Sequence, residues 1–462
     1  MMKYKNIYFV GIGGIGMSAL ARWFNTNGYR VAGYDKTATP LIGALESEGI
    51  EVTIEDTIES IPASFLSDSQ ETLVVYTPAI PVRHVQMNYF KEQNYMILKR
   101  SQVLGMLAGN MRTVGVAGTH GKTTTSSMIA HMLRSAGVNS TAFLGGITQN
   151  YGSNMLMNER TDRLQDVVCV VEADEFDRSF LTLFPEVAVV TSTDADHLDI
   201  YGKHEEMLVS FADFVGQIEP EGLFIMRFGL PLASASKASI WTYSLQDGDI
   251  HTANLRIENA RFVFDLIYPE GVIAEVSMRV PGYHNIENAL ATAAVGLYLQ
   301  LPPHEIKSAL ESYKGVKRRF EYHIEREDLV YIDDYAHHPT EITALLNSVR
   351  ALYPNRKLTV VFQPHLFTRT RDFIDGFAES LSNVDQLILL DIYPAREEPI
   401  EGVNSEWLLS KVKIENKVLV TKSELLNNLN ANELELLVTL GAGDIDSLVR
   451  PIQNLLGKPL TK

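Results

Sequence analysis

Twice in this chain a short apolar run stops at a glycine-rich turn and resumes as a helical pattern. Ile7–Val10 leads into Gly11-Ile12-Gly13-Gly14-Ile15-Gly16 and then the amphipathic stretch Met17–Thr26. Thr113–Ala117 leads into Gly118-Thr119-His120-Gly121-Lys122-Thr123-Thr124-Thr125, with helical spacing from Lys122 to Ala136. A strand that feeds a helix through a tight turn opens a βαβ unit, so both turns predict parallel sheets.

The alternation extends along the chain. Tyr29–Tyr34 and Leu73–Tyr76 follow the first turn; Thr141–Leu144, Val167–Val171 and Val187–Thr191 follow the second. Such continuous apolar runs predict strands covered on both faces. Gly222–Val280 is more strand-like, a helix is expected from Asn285 to Leu299, and five further strands begin at Leu329, Leu358, Gln386, Lys417 and Leu436. The expected fold is α/β in three domains: a Rossmann-like domain over 1–109, a central P-loop ATPase with a mixed sheet over 110–318, and a second Rossmann-like domain over 319–462.

Composition narrows the function. The 462 residues carry 40 Lys+Arg against 57 Asp+Glu, a net charge of −17 that disfavours nucleic acid as a partner. The single cysteine, Cys169, excludes a disulfide scaffold and a CxxC metal site. Ala289–Leu299, the longest nearly apolar stretch, is well short of the ~20 residues that span a bilayer. Lys3 and Lys5 before an apolar run ending Ala19-Leu20-Ala21 imitate a signal peptide, but the glycine spacing and the continuing stripe through Trp23 and Phe24 argue against one. A cytoplasmic protein without membrane contact is expected.

Both turns suit phosphate. In the first, Gly11, Gly13, Gly14 and Gly16 allow close approach of a diphosphate to a helix N-terminus, and Asp35 ends the next strand, where it could meet a ribose hydroxyl. A tight turn without ligand, or one holding NAD, fits the same residues. In the second, backbone N–H groups of Gly118, Thr119, His120 and Gly121 would cradle phosphates, Lys122 would reach the β/γ oxygens, and Thr123, ahead of Thr124, would offer a hydroxyl to Mg²⁺. Val116 stands where the strict motif has its first glycine. Two acidic clusters, Glu172-Ala173-Asp174-Glu175 and Asp194-Ala195-Asp196-His197, follow strands of the same block and should face the nucleotide, a setting for Mg²⁺.

Further motifs are His284-Asn285-Ile286-Glu287-Asn288, Arg318-Arg319-Phe320, Asp333-Asp334-Tyr335-Ala336-His337-His338-Pro339-Thr340-Glu341 and Gln363-Pro364-His365-Leu366-Phe367-Thr368-Arg369-Thr370-Arg371-Asp372. Together and in this order, the motifs resemble those of the Mur ligases of peptidoglycan synthesis across the whole chain. The resemblance implies an N-terminal domain for a UDP-sugar, a central ATPase domain and a C-terminal domain that receives an amino acid. In the branch that resembles it most, L-alanine is joined to the lactoyl carboxylate of UDP-N-acetylmuramate with ATP and two Mg²⁺ ions.

By the same resemblance, Lys122 meets the β/γ-phosphates, Thr123 and Glu172 bind Mg²⁺, and His197 binds the second ion. Asn288, with Asn285 nearby, contacts adenine; Arg319 reaches the γ-phosphate and Asp334 helps hold the nucleotide. Tyr335, His337, His365 and Arg369 lie near the alanine end. Two departures stand out. Sister ligases use a carbamylated lysine where this chain reads Ser210-Phe211-Ala212-Asp213-Phe214, and many members carry arginine where this chain has Leu366. Because Lys122 and Arg319 fall in different blocks, open and closed states are expected, in a monomer or weak homodimer.

Three other readings remain at this stage. An NAD-dependent oxidoreductase explains the first turn and leaves Gly-Lys-Thr unexplained. A nucleotide-binding regulator without turnover leaves the acidic and histidine clusters unused. A ligase joining the same sugar to a preformed tripeptide shares the chemistry, although the Gly-Ile-Gly-Gly-Ile-Gly-Met and Thr-Arg-Thr-Arg segments look more like the alanine-adding branch.

Overall fold

A computed structural model of the chain describes residues 3–157, 163–195, 198–395 and 397–457. The architecture is α/β, and the chain divides into two compact units. The first comprises Met1–Ala253, Asp265–Ala274 and Glu287–Tyr313; the second comprises Asn254–Phe264, Glu275–Ile286 and Lys314–Lys462.

The first unit holds two sheets. Strands β1 (Asn6–Val10), β2 (Arg30–Tyr34), β3 (Glu51–Thr53), β4 (Thr72–Tyr76) and β5 (Met96–Lys99) form a parallel sheet in the order β3-β2-β1-β4-β5. Its central strand β1 is buried throughout, as a run covered on both faces requires. The second sheet contains β6 (Arg112–Ala117), β7 (Ser140–Phe143), β8 (Met155–Leu156), β9 (Val168–Glu172), β10 (Val187–Val190), β11 (Leu223–Arg227) and β12 (Ser239–Tyr243), in the order β12-β11-β10-β6-β9-β7-β8. It is mixed, because the two-residue β8 runs antiparallel to β7. One apolar cluster reaches through both sheets, including Phe24, Leu104, Phe143 and Phe180. Phe180 stacks on Phe214 at 5.0 Å and meets Phe211 edge-on at 5.3 Å. Helix Arg100–Ala108 packs so closely on segment Ser179–Thr182 that a Cβ at Gly105 would lie 2.5 Å from the Thr182 carbonyl, and Thr182 Oγ1 donates to the Ser101 carbonyl at 3.0 Å.

Strands β13 (His251–Glu258), β14 (Arg261–Tyr268) and β15 (Gly271–Met278) make a separate sheet in chain order, the strand-rich stretch expected after Gly222. In the second unit, β16 (Glu321–Glu325), β17 (Val330–Asp334), β18 (Leu358–Phe362), β19 (Gln386–Leu389), β20 (Lys417–Leu419) and β21 (Leu436–Leu440) are ordered β16-β17-β21-β18-β19-β20. All pairs are parallel except the edge strand β16 on β17. Its half-exposed, polar sequence gave no apolar run by which to predict it. Among the described residues no helix is long and apolar enough to cross a membrane.

Strand order decides which loops meet. Because β1 lies between β2 and β4, the turn after it is flanked by Asp35 and Thr77. Because β6 lies between β10 and β9, the phosphate turn is flanked by Thr191 and Glu172. Both turns occupy carboxyl strand ends, where parallel sheets bind ligands.

Candidate active site

The turn after β6 is a compact cradle. Gly118 has φ +133°, and a Cβ there would fall 2.1 Å from Thr191 Oγ1, so glycine is required twice over. Gly121, also with positive φ, starts helix Lys122–Ser135. Thr119 Oγ1 lies 2.9 Å from Ser192 Oγ, which accepts from the His120 N–H at 2.9 Å. Asn288 packs beneath the turn: its Oδ1 accepts from Thr125 Oγ1 at 3.0 Å and would meet a Cβ at Gly121 at 2.9 Å. Thr124 is buried beside it.

Lys122 Nζ donates to the Gly118 carbonyl at 2.6 Å and to Glu175 at 2.8 Å. Burial favours the neutral amine, but Glu175, Asp174 and Glu172 together outweigh it and hold the lysine above its ordinary pKa. Thr123 Oγ1 sits 3.0 Å from both oxygens of Glu172. Glu172 also accepts from the Gly145 N–H at 2.9 Å, and a Cβ at Gly145 would lie 2.0 Å from its carboxylate. A hydroxyl beside a carboxylate gives the hard oxygen donors that Mg²⁺ prefers. Three carboxylates around one buried ammonium leave excess negative charge where phosphates would enter, which also suits a divalent cation. Among the described residues no group of three or more His, Cys, Asp or Glu is arranged to hold a metal, and His197 lies outside the described residues.

In the turn after β1, Asp35 Oδ2 accepts from the Gly13 N–H at 2.8 Å and Oδ1 from the Thr37 N–H at 3.3 Å. Its carboxylate therefore holds the turn itself, a role the expected ribose contact had not included. Gly11, with φ +91°, would bring a Cβ within 2.7 Å of Thr77. A cavity of about 310 Å³ runs from Gly14 and Gly16 past Thr77 and Arg100 to Gly145, Glu172 and Asp174. It joins the first turn to the carboxylate beside the second.

In the second unit, Asp334 at the end of β17 accepts from the Phe320 and Ala336 N–H groups, each at 2.7 Å. Burial nevertheless pushes it up to about 6, opposed by Arg319 and those two bonds. Its neighbour Asp333, also buried, is pushed up to about 7 despite Arg318 Nε at 3.4 Å. Arg318 bonds the Gly441 and Gly443 carbonyls after β21, tying that loop to β17. The Arg319 guanidinium lies 5.1 Å from the Tyr335 ring centroid and 3.8 Å from Glu341.

Glu341 also accepts from the His337 and His338 N–H groups, closing the start of helix Pro339–Leu352. His337 Nδ1 lies 2.9 Å from the Tyr335 carbonyl, which can only accept, so that nitrogen carries the proton and Nε2 is the ring's acceptor. Burial lowers the pKa of His337. His365 stacks on Tyr393 at 5.8 Å, lies 6.2 Å from His337, and has its Nδ1 3.3 Å from Arg369. Asn285 donates to the Pro281 carbonyl at 2.7 Å.

Within the first unit, Gly11, Gly13, Gly14, Gly16 and Asp35 form one cluster, and the phosphate turn, Glu172 and Asn288 form another. Within the second, Asp334, Tyr335, His337, His365 and Arg369 lie at or just beyond the carboxyl ends of β17 and β18, which flank β21, and Arg319 lies just ahead of β16. Sequence reading left Arg100 and Glu341 without roles and gave Glu175 only a place in the acidic cluster facing the nucleotide. Glu341 could have been recognised from the His-Pro-Thr-Glu pattern of a capped helix start. Arg100, and the pairing of Glu175 with Lys122, carried no such signal, because the partners come from other elements.

Residues 6–112 match the family model described as Mur ligase family, catalytic domain; residues 116–296 match Mur ligase middle domain; and residues 318–443 match Mur ligase, glutamate ligase domain. The UDP-N-acetylmuramate–L-alanine ligase of Christiangramia forsetii is 49% identical over 417 residues, 90% of each chain. That of Parabacteroides distasonis is 46% identical over 463 residues, covering 100% of this chain and 99% of its own. The crystal structure of UDP-N-acetylmuramate–alanine ligase from Thermotoga maritima superposes with a TM-score of 0.81 at 26% identity, covering 97% of this chain and 98% of that one. A murein peptide ligase from Psychrobacter arcticus shares the fold with a TM-score of 0.72 at 22% identity, over 99% and 100% of the two chains.

Proposed function

The chain belongs to the Mur ligase family, and from that premise we propose that it joins L-alanine to the lactoyl carboxylate of UDP-N-acetylmuramate at the expense of ATP. The observation that carries the reading is the cavity linking the glycine turn after β1 to Glu172, beside Thr123 and the phosphate turn. A nucleotide sugar bound there would have its diphosphate at the first turn and its acidic end near the phosphates of ATP.

The chemistry follows from the leaving group. An amine cannot displace oxide from a carboxylate, so the carboxylate oxygen first attacks the γ-phosphorus and ADP departs. The amine then adds to the acyl carbon, and the tetrahedral intermediate collapses with loss of phosphate. Electrostatic stabilisation dominates such transfers. Lys122 supplies positive charge to the β/γ oxygens, the backbone of Gly118–Thr124 orients them, and Asn288 and Asn285 serve the adenine end. A bound Mg²⁺ would neutralise charge on the transferring group, held by Thr123 and Glu172, with His197 on a second ion. In the same reading Arg319 and Asp334 serve the nucleotide, while Tyr335, His337, His365 and Arg369 serve the amino acid. The domain limits 1–109, 110–318 and 319–462 are part of the same proposal, as are the cytoplasmic setting and the monomer or weak homodimer.

The test is product mass spectrometry with parallel phosphate release, using ATP, Mg²⁺ and UDP-N-acetylmuramate with either L-alanine or the tripeptide. An ATP-dependent alanine adduct is expected. An adduct with the tripeptide alone would reassign the acceptor, and no adduct with either would reject the reading.

A further inference from the structure

Arg100 opens helix Arg100–Ala108, whose packing on Ser179–Thr182 fixes where its side chain emerges. Its guanidinium lies across the last glycine of the first turn: a Cβ at Gly16 would fall 2.7 Å from Nη1 and 3.2 Å from Cδ. A side chain at position 16 would have to displace that guanidinium. Among the described residues lining the 310 Å³ cavity, Arg100 is the one cation, set against Glu172 and Asp174. Asp174 approaches it at 3.5 Å, an ion pair too long for a hydrogen bond, and is itself oriented by the Phe176 N–H at 3.1 Å. Arg100 is 24% exposed and lines the cavity.

We propose that Arg100 is a substrate-binding residue that carries the diphosphate of the UDP-sugar, with Asp174 as its counter-ion before the substrate arrives. This rests on the ligase reading and names a contact within it. A planar guanidinium meets two phosphoryl oxygens at once, and at the wall of a cavity with excess acid it offsets the repulsion a diphosphate would otherwise meet. The loose pair with Asp174 is the kind an incoming dianion displaces at small cost.

The experiment uses the full-length enzyme with Arg100→Ala and Arg100→Lys. UDP binding is measured by calorimetry without ATP, and KM is measured for all three substrates. Arg100→Ala is expected to weaken UDP and to raise the KM for UDP-N-acetylmuramate, each at least tenfold, with the KM for ATP and L-alanine within twofold. Arg100→Lys should recover part of both losses. Unchanged UDP affinity and sugar KM would overturn the inference. So would a rise confined to the sugar nucleotide with UDP unaffected, since the contact would then be to the sugar's acid. Equal rises for every substrate in both variants, with reduced thermal stability, would reduce Arg100 to a structural partner of Asp174. UDP binding needs no turnover, so absence of an alanine adduct from wild type would reject the ligase reading and leave this test standing.

Discussion

Lys122 Nζ lies 2.8 Å from the carboxylate of Glu175, whose side chain is fully buried, so the phosphate-turn lysine has its counter-charge inside the protein. Removing one partner strands the other in a poorly solvated place, and breaking a buried pair costs about 3–5 kcal/mol. Glu175→Gln is therefore expected to lower the midpoint of urea unfolding, with Glu175→Asp recovering part. Lys122→Ala should in addition reduce kcat by about 10²–10³, the scale of losing one charge-stabilising group at a reacting centre. A Glu175→Gln protein with wild-type unfolding would show that the pair contributes nothing to the fold.

Asp334 provides a pH signature. Burial pushes it up to about 6, against the opposing pull of Arg319 and two backbone N–H donors. An unfolded aspartate titrates near 3.9, so between about pH 4 and 6 the folded state holds a proton that the unfolded state has released. The stability this group contributes is present below about pH 4 and lost as pH rises through its folded value. His284, lowered to about 4, and His337, also lowered by burial, tilt the other way, so the readout is a difference. The thermal midpoint of Asp334→Asn minus that of wild type is expected to increase by a few degrees from pH 4 to pH 8. A pH-independent difference would show that Asp334 is ionised throughout.

Glu172 tests the cation site. Thr123 and Glu172 offer adjoining oxygens, and Gly145 leaves room for the carboxylate where any Cβ would collide with it. Glu172→Gln keeps the shape and removes the charge. The Mg²⁺ concentration for half-maximal phosphate release should rise about tenfold or more, the scale set by roughly 1.4 kcal/mol of lost attraction, and Gly145→Ala should act in the same direction. An unchanged Mg²⁺ requirement in both would place the ion elsewhere.

What could be read without coordinates divides along physical lines. Strand runs buried on both faces, such as Val187–Val190 and Leu436–Leu440, announce themselves because all positions but Thr439 are apolar. The phosphate turn was legible because Gly118 and Gly121 both adopt positive φ, a local constraint, whereas the crowding by Thr191 and Asn288 comes from distant elements. Edge strands such as β16 and β3 carry no such pattern, since solvent covers part of them. Arg100 and Glu175 acquire meaning only when strand order brings Asp174 and Lys122 to them, across 74 and 53 positions of sequence. Asp35 was found in its place, but its engagement with Gly13 depends on the backbone N–H direction, which sequence does not print.

Leu366 stands where the resemblance implies arginine, which leaves two arginines of the following helix as candidates to anchor an anion, and the structure separates them. Leu366 has φ +72° and directs its backbone into helix Phe367–Asp372, which carries both arginines. Arg371 turns away to its neighbour Asp372 at 2.7 Å and is half exposed, the setting of a surface pair worth about 0–1 kcal/mol. Arg369 lies 3.3 Å from His365 Nδ1 and its charge reaches His337, so its field falls on the ring cluster that ends the two strands. Under the proposed reading, the Arg369 guanidinium beside His365 is the group that meets the carboxylate of the amino acid. Arg369→Ala is therefore expected to raise the KM for L-alanine about a hundredfold, the scale of a lost charge-assisted bidentate pair of roughly 2–3 kcal/mol. Arg371→Ala should stay within about twofold, and Leu366→Arg should lower the KM by adding a cation at the start of the same helix. Initial rates with varied L-alanine at saturating ATP and nucleotide sugar decide it. Equal losses from both alanine variants would mean that the helix as a whole, and not Arg369, sets the acceptor end.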